Sequence, residues 1–111
     1  MFAAAAASEA LMHARIWKFR PPHGQEDAFA SAYSETGRWA ELFRKAEGYL
    51  GSSLLRPIEE HGWWLTIDRW HSLAHFEAFG RDWRREYQEL DAELEGIAGE
   101  EEFVGAFEEA A

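Results

Sequence analysis

Tyr33 and Tyr87 each fall on an apolar stripe of helical period, where a buried hydroxyl would need a partner and could orient a phenolic or carbonyl oxygen. His71 and His75 stand four apart, which puts two imidazoles on one helix face, and imidazole is suited to general-base work near neutral pH. The same spacing can hold a metal, but only Asp68 lies near enough in sequence to complete a ligand set and such spacing arises often by chance, so histidines of a solvated surface are the preferred reading. Trp17, Trp39, Trp63, Trp64, Trp70 and Trp83 can wall an aromatic ligand; at helix and strand periods they can also fill a core and a subunit seam. Arg15, Arg56 and Arg69 can meet a carboxylate or an enolate, or else pair at the surface with some of the 21 acidic side chains, where such pairs contribute little. His13, His23 and His61 carry no convergent signal. No Ser-His-Asp pattern with supporting context, no glycine-rich phosphate loop and no dinucleotide fingerprint is present.

The elements that must position these groups are organised around the stretch from Trp63 to Tyr87. Leu65, Thr66, Ile67 and Asp68 alternate with period two, and from Ser72 the apolar positions step to Leu73, Phe76, Phe79, Trp83 and Tyr87. That change of period marks a strand running through a short turn into a long helix with Ser72 as its cap. The helix should run from about Leu73 to about Ile97, loosened at Gly80. Four of the six tryptophans lie in this stretch, so it supplies the main strand and its cover.

Upstream, Met12 to Arg20 reads as a strand stopped by Pro21-Pro22. A helix carrying Phe29 and Tyr33 follows, interrupted at Gly37 and resumed as Trp39, Leu42, Phe43 and Ala46, with Gly48 past its end. Tyr49 to Pro57 is a second strand, joined to the third, Trp63 to Trp70, by a hairpin loop at Glu59-Glu60-His61-Gly62 whose glycine would supply a positive φ. Gly99 ends the last helix, and Glu102 to Glu108 is a fourth strand with Phe103 and Phe107 on one face. The order is βαββαβ with a broken first helix. This is an α+β, ferredoxin-like domain over 12–108 with a four-stranded antiparallel sheet, flanked by a flexible tail over 1–11 and a short one over 109–111.

Composition narrows the partners. A net charge of −10 repels phosphate backbones, so nucleic acid is not expected. Eight acidic residues between Glu86 and Glu102 read as a solvated face. No apolar run approaches the roughly 20 residues needed to cross a bilayer, and the opening MFAAAAASEAL has no preceding Lys or Arg, so neither a membrane span nor a secretory signal is expected. The absence of cysteine excludes disulfides and thiolate chemistry and fits a cytoplasmic location. Helices on one face cannot cover a sheet that carries Trp17, Phe19, Trp64 and Trp70 on one side and Ile16, Leu65 and Ile67 on the other, so a homodimer through the open sheet face is expected.

The stretches HARIWKFRPPHGQEDAFASAY, RWAELFRKAEGYLGSSLLR, WLTIDRWHSLAHFEAF and REYQELD, in this order and spacing, resemble the antibiotic biosynthesis monooxygenase family of dimeric α+β barrels. The resemblance implies a pocket between sheet and helices in each subunit. Haem-degrading relatives use an asparagine on the first strand and a tryptophan and a histidine in the second helix. This chain has no asparagine, places Phe79 where their tryptophan would stand and has Glu89 near the position of their histidine, so haem degradation is disfavoured. Quinol-type relatives use no metal or flavin: the deprotonated aromatic substrate itself passes an electron to oxygen. Such chemistry needs a dry aromatic pocket, a group that takes the phenolic proton and a donor that steadies the anion.

On this basis the candidate catalytic residues are Tyr33, His75 and Tyr87, and the candidate substrate-binding residues are Trp39, Phe79 and Trp83, with no cofactor and no metal. The first functional expectation is a cofactor-independent monooxygenase acting on a small quinol-like or polycyclic aromatic. The alternative is a non-catalytic dimeric barrel that binds a small hydrophobic ligand. A cavity of roughly 300 Å³ with a tyrosine or histidine pointing in would favour the enzyme; one filled by Phe76, Phe79 and Trp83 would favour the alternative.

Overall fold

The computed structural model describes residues 12–110; the expected tail over 1–11 lies outside them. Four strands and four helices follow in the order β1 (Met12–Arg20), α1 (Glu26–Tyr33), α2 (Arg38–Phe43), β2 (Tyr49–Leu55), β3 (Trp64–Trp70), α3 (Leu73–Asp82), α4 (Arg84–Ala98) and β4 (Glu100–Glu109). The strands form one antiparallel sheet in the order β2-β3-β1-β4, the arrangement expected of a ferredoxin-like α+β domain with a broken first helix.

Side-chain alternation sorts the sheet into two faces. Trp17 and Phe19 of β1 and Trp64 and Trp70 of β3 join Phe29, Tyr33, Phe43, Phe79, Leu90 and Leu94 of the helices in one core, while Ile16, Leu65 and Ile67 stay outside it. Trp70 and Phe29 have no solvent exposure, and Trp70 meets Phe43 and Phe79 at centroid distances of 5.6 and 5.2 Å. These tilted and edge-on pairs add to the stabilisation that burial alone supplies.

Several boundaries and two local geometries differ from the sequence reading. The long second helix does not loosen at Gly80; it turns a corner at Trp83, which caps both α3 and α4 with φ −118° and ψ 26°. Trp83 N–H still donates to Phe79 O and Tyr87 N–H to Trp83 O, both at 2.9 Å, so the corner sacrifices almost no backbone bonding. In the β2–β3 hairpin the positive φ belongs to His61, at 61°, and not to Gly62. Gly62 is required for space, since a Cβ there would lie 2.7 Å from Pro57 Cβ.

β4 contains a bulge that periodicity could not reveal. Ile16 pairs with Gly105 but Trp17 with Phe103, so two residues of β4 oppose one of β1. Phe107 therefore sits opposite Ala14 on the open face while Phe103 packs against Trp17, 5.1 Å between centroids, on the helix face. The expected shared face for the two phenylalanines is thus replaced by opposite faces. Ser72 behaves as expected: its Oγ accepts from His75 N–H at 3.2 Å at the start of α3.

Candidate active site

Between the sheet and the helices lies a cavity of about 150 Å³, half the volume set above for a ligand of drug size and close to that which holds one benzene-sized ring. Trp17 and Phe19 of β1 form one wall; Tyr33, Trp39 and Phe43, from α1 and α2, form another. Ser52, Thr66 and Asp68 project from β2 and β3, and Tyr87 and Asp91 of α4 with Glu101 of β4 complete the lining. The sheet places these groups by simple alternation, because Trp64, Thr66, Asp68 and Trp70 occupy one face of β3.

Asp68 is the group that sequence reasoning did not single out, except as a metal ligand. It is a carboxylate on a face otherwise made of Trp64, Thr66 and Trp70, and burial raises its pKa from 3.8 to about 6. The Ser52 hydrogen bond and the charges of Arg15 and Arg69 work in the opposite direction without cancelling that effect. Ser52 Oγ donates to Asp68 Oδ1 at 2.6 Å, and Tyr49 OH lies 2.6 Å from Ser52 Oγ. Because the serine has one hydrogen and gives it to Asp68, the tyrosine must donate to the serine. The result is a Tyr49–Ser52–Asp68 relay across the β2–β3 pair, in which Ser52 stands directly opposite Asp68. The readable signal was a charged residue in phase with buried tryptophans, which demands a chemical explanation.

Tyr33 is 8% exposed, and burial pushes its pKa up to about 12, so at neutral pH it is a hydroxyl that can donate. The Trp39 indole N–H lies toward that hydroxyl and partly offsets the effect, but it closes no full hydrogen bond with it or with another described group. Trp39 thus presents a buried, unpaired donor among the residues that line the cavity. Tyr87 stacks at a tilt on Trp39, 4.9 Å between centroids, and burial raises its pKa, with Asp91, Glu101 and Asp68 adding to the rise. Around the rim, Glu101 is raised by burial first and then by Asp91 and Glu95. This acidic mouth opposes an anionic ligand and admits a neutral one.

Arg15 stands opposite Asp68 in the register of β1 with β3, near enough for its charge to act on the carboxyl. Its guanidinium rests 3.9 Å from the Phe76 ring centroid and 4.8 Å from that of Phe103, an aromatic clamp that holds a cation beside the carboxylate. The other two arginines of interest lie elsewhere: Arg69 binds Ser53 and Glu109, each at 3.0 Å, and Arg56 stacks over Trp64.

The structure brings Tyr33, Tyr87 and Trp39 together at the cavity. Phe79 lies just behind it, 2% exposed and 6.3 Å from Tyr87, as part of the core. His75 and Trp83 are placed apart from the cavity lining. His75 Nδ1 lies 2.7 Å from Ser72 Oγ, and its ring packs on Gly48, whose φ of 91° and lack of a Cβ permit the approach. Trp83 forms the helix corner, with Lys45 Nζ 5.7 Å from its ring centroid.

Residues 12–89 match a family model described as antibiotic biosynthesis monooxygenase. Among solved structures, SnoaB, a cofactor-independent oxygenase from Streptomyces nogalater, is 20% identical with a TM-score of 0.65, covering 88% of this chain and 92% of that one. A Bordetella bronchiseptica protein, whose description as an antibiotic biosynthesis monooxygenase is itself an inference, is 20% identical with a TM-score of 0.66, covering 91% and 99%. A conserved protein from Methanosarcina mazei Go1 is 14% identical with a TM-score of 0.61, covering 92% and 96%. At these identities the likeness is one of fold. No curated protein sequence matches the chain.

Proposed function

Because the chain belongs to the antibiotic biosynthesis monooxygenase family, we propose that it oxygenates a small, neutral, electron-rich phenol with O2, without metal or flavin, and that Asp68 takes the phenolic proton. The single observation that carries this reading is a desolvated carboxylate, with a pKa of about 6, at the floor of an aromatic cavity. A base with that pKa is ionised at pH 7 and still basic enough to share a proton from a bound phenol. Tyr33, protonated far above neutrality, supplies the donor that steadies the phenolate, and Arg15 keeps a positive charge beside Asp68. The likeness to a cofactor-independent oxygenase supports chemistry in which the substrate is the reductant.

The reaction balances as phenol plus O2 giving quinone plus water. The phenolate passes one electron to O2, and the aryloxyl radical and superoxide join at the ring carbon para to the oxygen. That carbon's proton passes to the outer peroxide oxygen as the O–O bond breaks, which leaves a carbonyl and a hydroxide; the hydroxide takes the proton held by Asp68 and leaves as water. A cavity of about 150 Å³ suits one ring and so favours a monocyclic phenol, with hydrogen on the carbon para to its hydroxyl, over a polycyclic one.

The same small volume, with Phe79 filling the space behind it, favours the second reading, a barrel that binds a hydrophobic molecule without converting it. Either reading places a second copy on the open sheet face, where Leu55 and Phe107 are 45% and 46% exposed beside Ile16, Leu65 and Ile67. Oxygen uptake by metal-free protein across a panel of monocyclic phenols with a free para position, with anthrones beside them, tests the proposal. Acceleration over buffer that is lost in Asp68→Asn is the expected result. Saturable binding of the same compounds with no uptake leaves the binding module.

A further inference from the structure

We propose that His23, Glu26 and His61 form a surface site for a borderline divalent cation of the zinc class, separate from the aromatic cavity. His23 lies in the β1–α1 loop, Glu26 opens α1, and His61 is at the tip of the β2–β3 hairpin, yet one donor atom of each lies within 4.8 Å of the other two. The imidazole rings of His23 and His61 face each other at 5.3 Å between centroids. None of the three lines the cavity, so the inference does not depend on the oxygenation chemistry.

Two imidazoles and a carboxylate are a donor set that zinc takes with a fourth position left open, and a chain without cysteine offers no softer competitor. The carboxylate is already oriented. Gly24 N–H donates to Glu26 Oε1 at 2.8 Å, and Glu26 Oε2 lies 3.9 Å from His23 Nδ1, free to bind.

The donors must close by roughly 1.5 Å to reach the separations of a tetrahedral shell with bonds near 2.1 Å. Exposed side chains can do this by small rotamer changes: those of His23 and His61 are 85% and 59% exposed. The hairpin holds His61 in the left-handed region, at a φ of 61°, a conformation that histidine, like asparagine and aspartate, adopts more often than most residues. A bound cation would tie the β1–α1 loop to this hairpin and restrain the entry to β3.

Titration calorimetry of the metal-free full chain with zinc chloride tests the site. One zinc per chain is expected, with affinity falling at least tenfold in each of His23→Gln, Glu26→Gln and His61→Asn, the last chosen because asparagine tolerates the positive φ. Zinc should raise the melting temperature of the parent chain and leave that of the triple variant unmoved. His71→Ala and His75→Ala should bind as the parent does. No saturable binding would overturn the proposal, and so would binding lost in those two variants, which would put the metal on the α3 pair instead.

Discussion

Replacing Asp68 by asparagine should make the protein more stable and less active at once. The carboxyl has a pKa of about 6 in the folded chain against 3.8 unperturbed, and at about 1.4 kcal/mol per tenfold change in proton affinity this amounts to about 3 kcal/mol. The sign follows from proton binding: between these two values the folded state holds more protons than the unfolded one, so stability falls as pH rises through the window. Most of the cost is present above pH 6 and little of it below 3.8. Asparagine keeps an oxygen for the Ser52 hydroxyl to bond and carries no charge to desolvate. Urea denaturation followed by tryptophan fluorescence, at fixed protein concentration, gives the difference between variant and parent at each pH. That difference should grow from about 0.5 kcal/mol at pH 4 to at most about 3 kcal/mol in favour of the variant at pH 8. Oxygen uptake should meanwhile fall to the buffer rate, the usual opposition of stability and activity at a strained site. A difference that stays flat with pH, or a variant less stable than the parent at pH 8, would refute the assignment of a desolvated carboxylate.

Three further outcomes can be measured with the same assays. Tyr33→Phe removes the hydroxyl held protonated by burial and should lower the turnover rate about 100-fold while stability changes by less than about 1 kcal/mol. Gly37→Ala drives a Cβ into the carbonyl oxygens of Ser31 and Ala32, which belong to the backbone and cannot swing aside, so unfolding in urea should show a loss of about 1–3 kcal/mol. Ser72→Ala deletes the cap that accepts from His75 N–H and should cost about 1 kcal/mol by the same measurement, with oxygen uptake unchanged.

Much of the fold was readable because two periods alternate cleanly along the chain. β1 ends at Arg20, where Pro21 removes the next donor, and the gap at Gly37 divides the first helix because the chain packs too closely on Ser31 and Ala32 for a side chain. What periodicity could not reveal are features set by pairing. The bulge that sends Phe103 and Phe107 to opposite faces depends on the register of β4 with β1, and the positive φ of the hairpin falls on His61, beside a glycine that lies close against Pro57.

The site was half legible for the same reason. Tyr33, Tyr87 and Trp39 lie on helical stripes that point at the sheet, so their types and spacing placed them. Asp68 was passed over because an acid on a strand usually faces water. Only its phase with Trp64 and Trp70, and the presence of Ser52 on the neighbouring strand, make it the half-buried member of a relay.

The central claim is that sheet and helices together dehydrate one carboxyl until it becomes a base suited to neutral pH. Carbon-13 NMR titration of the aspartate carboxyls, with the resonance missing in Asp68→Asn giving the assignment, measures this directly. A midpoint near 6 is the predicted result; a midpoint near 4, as for an aspartate in open water, would contradict it.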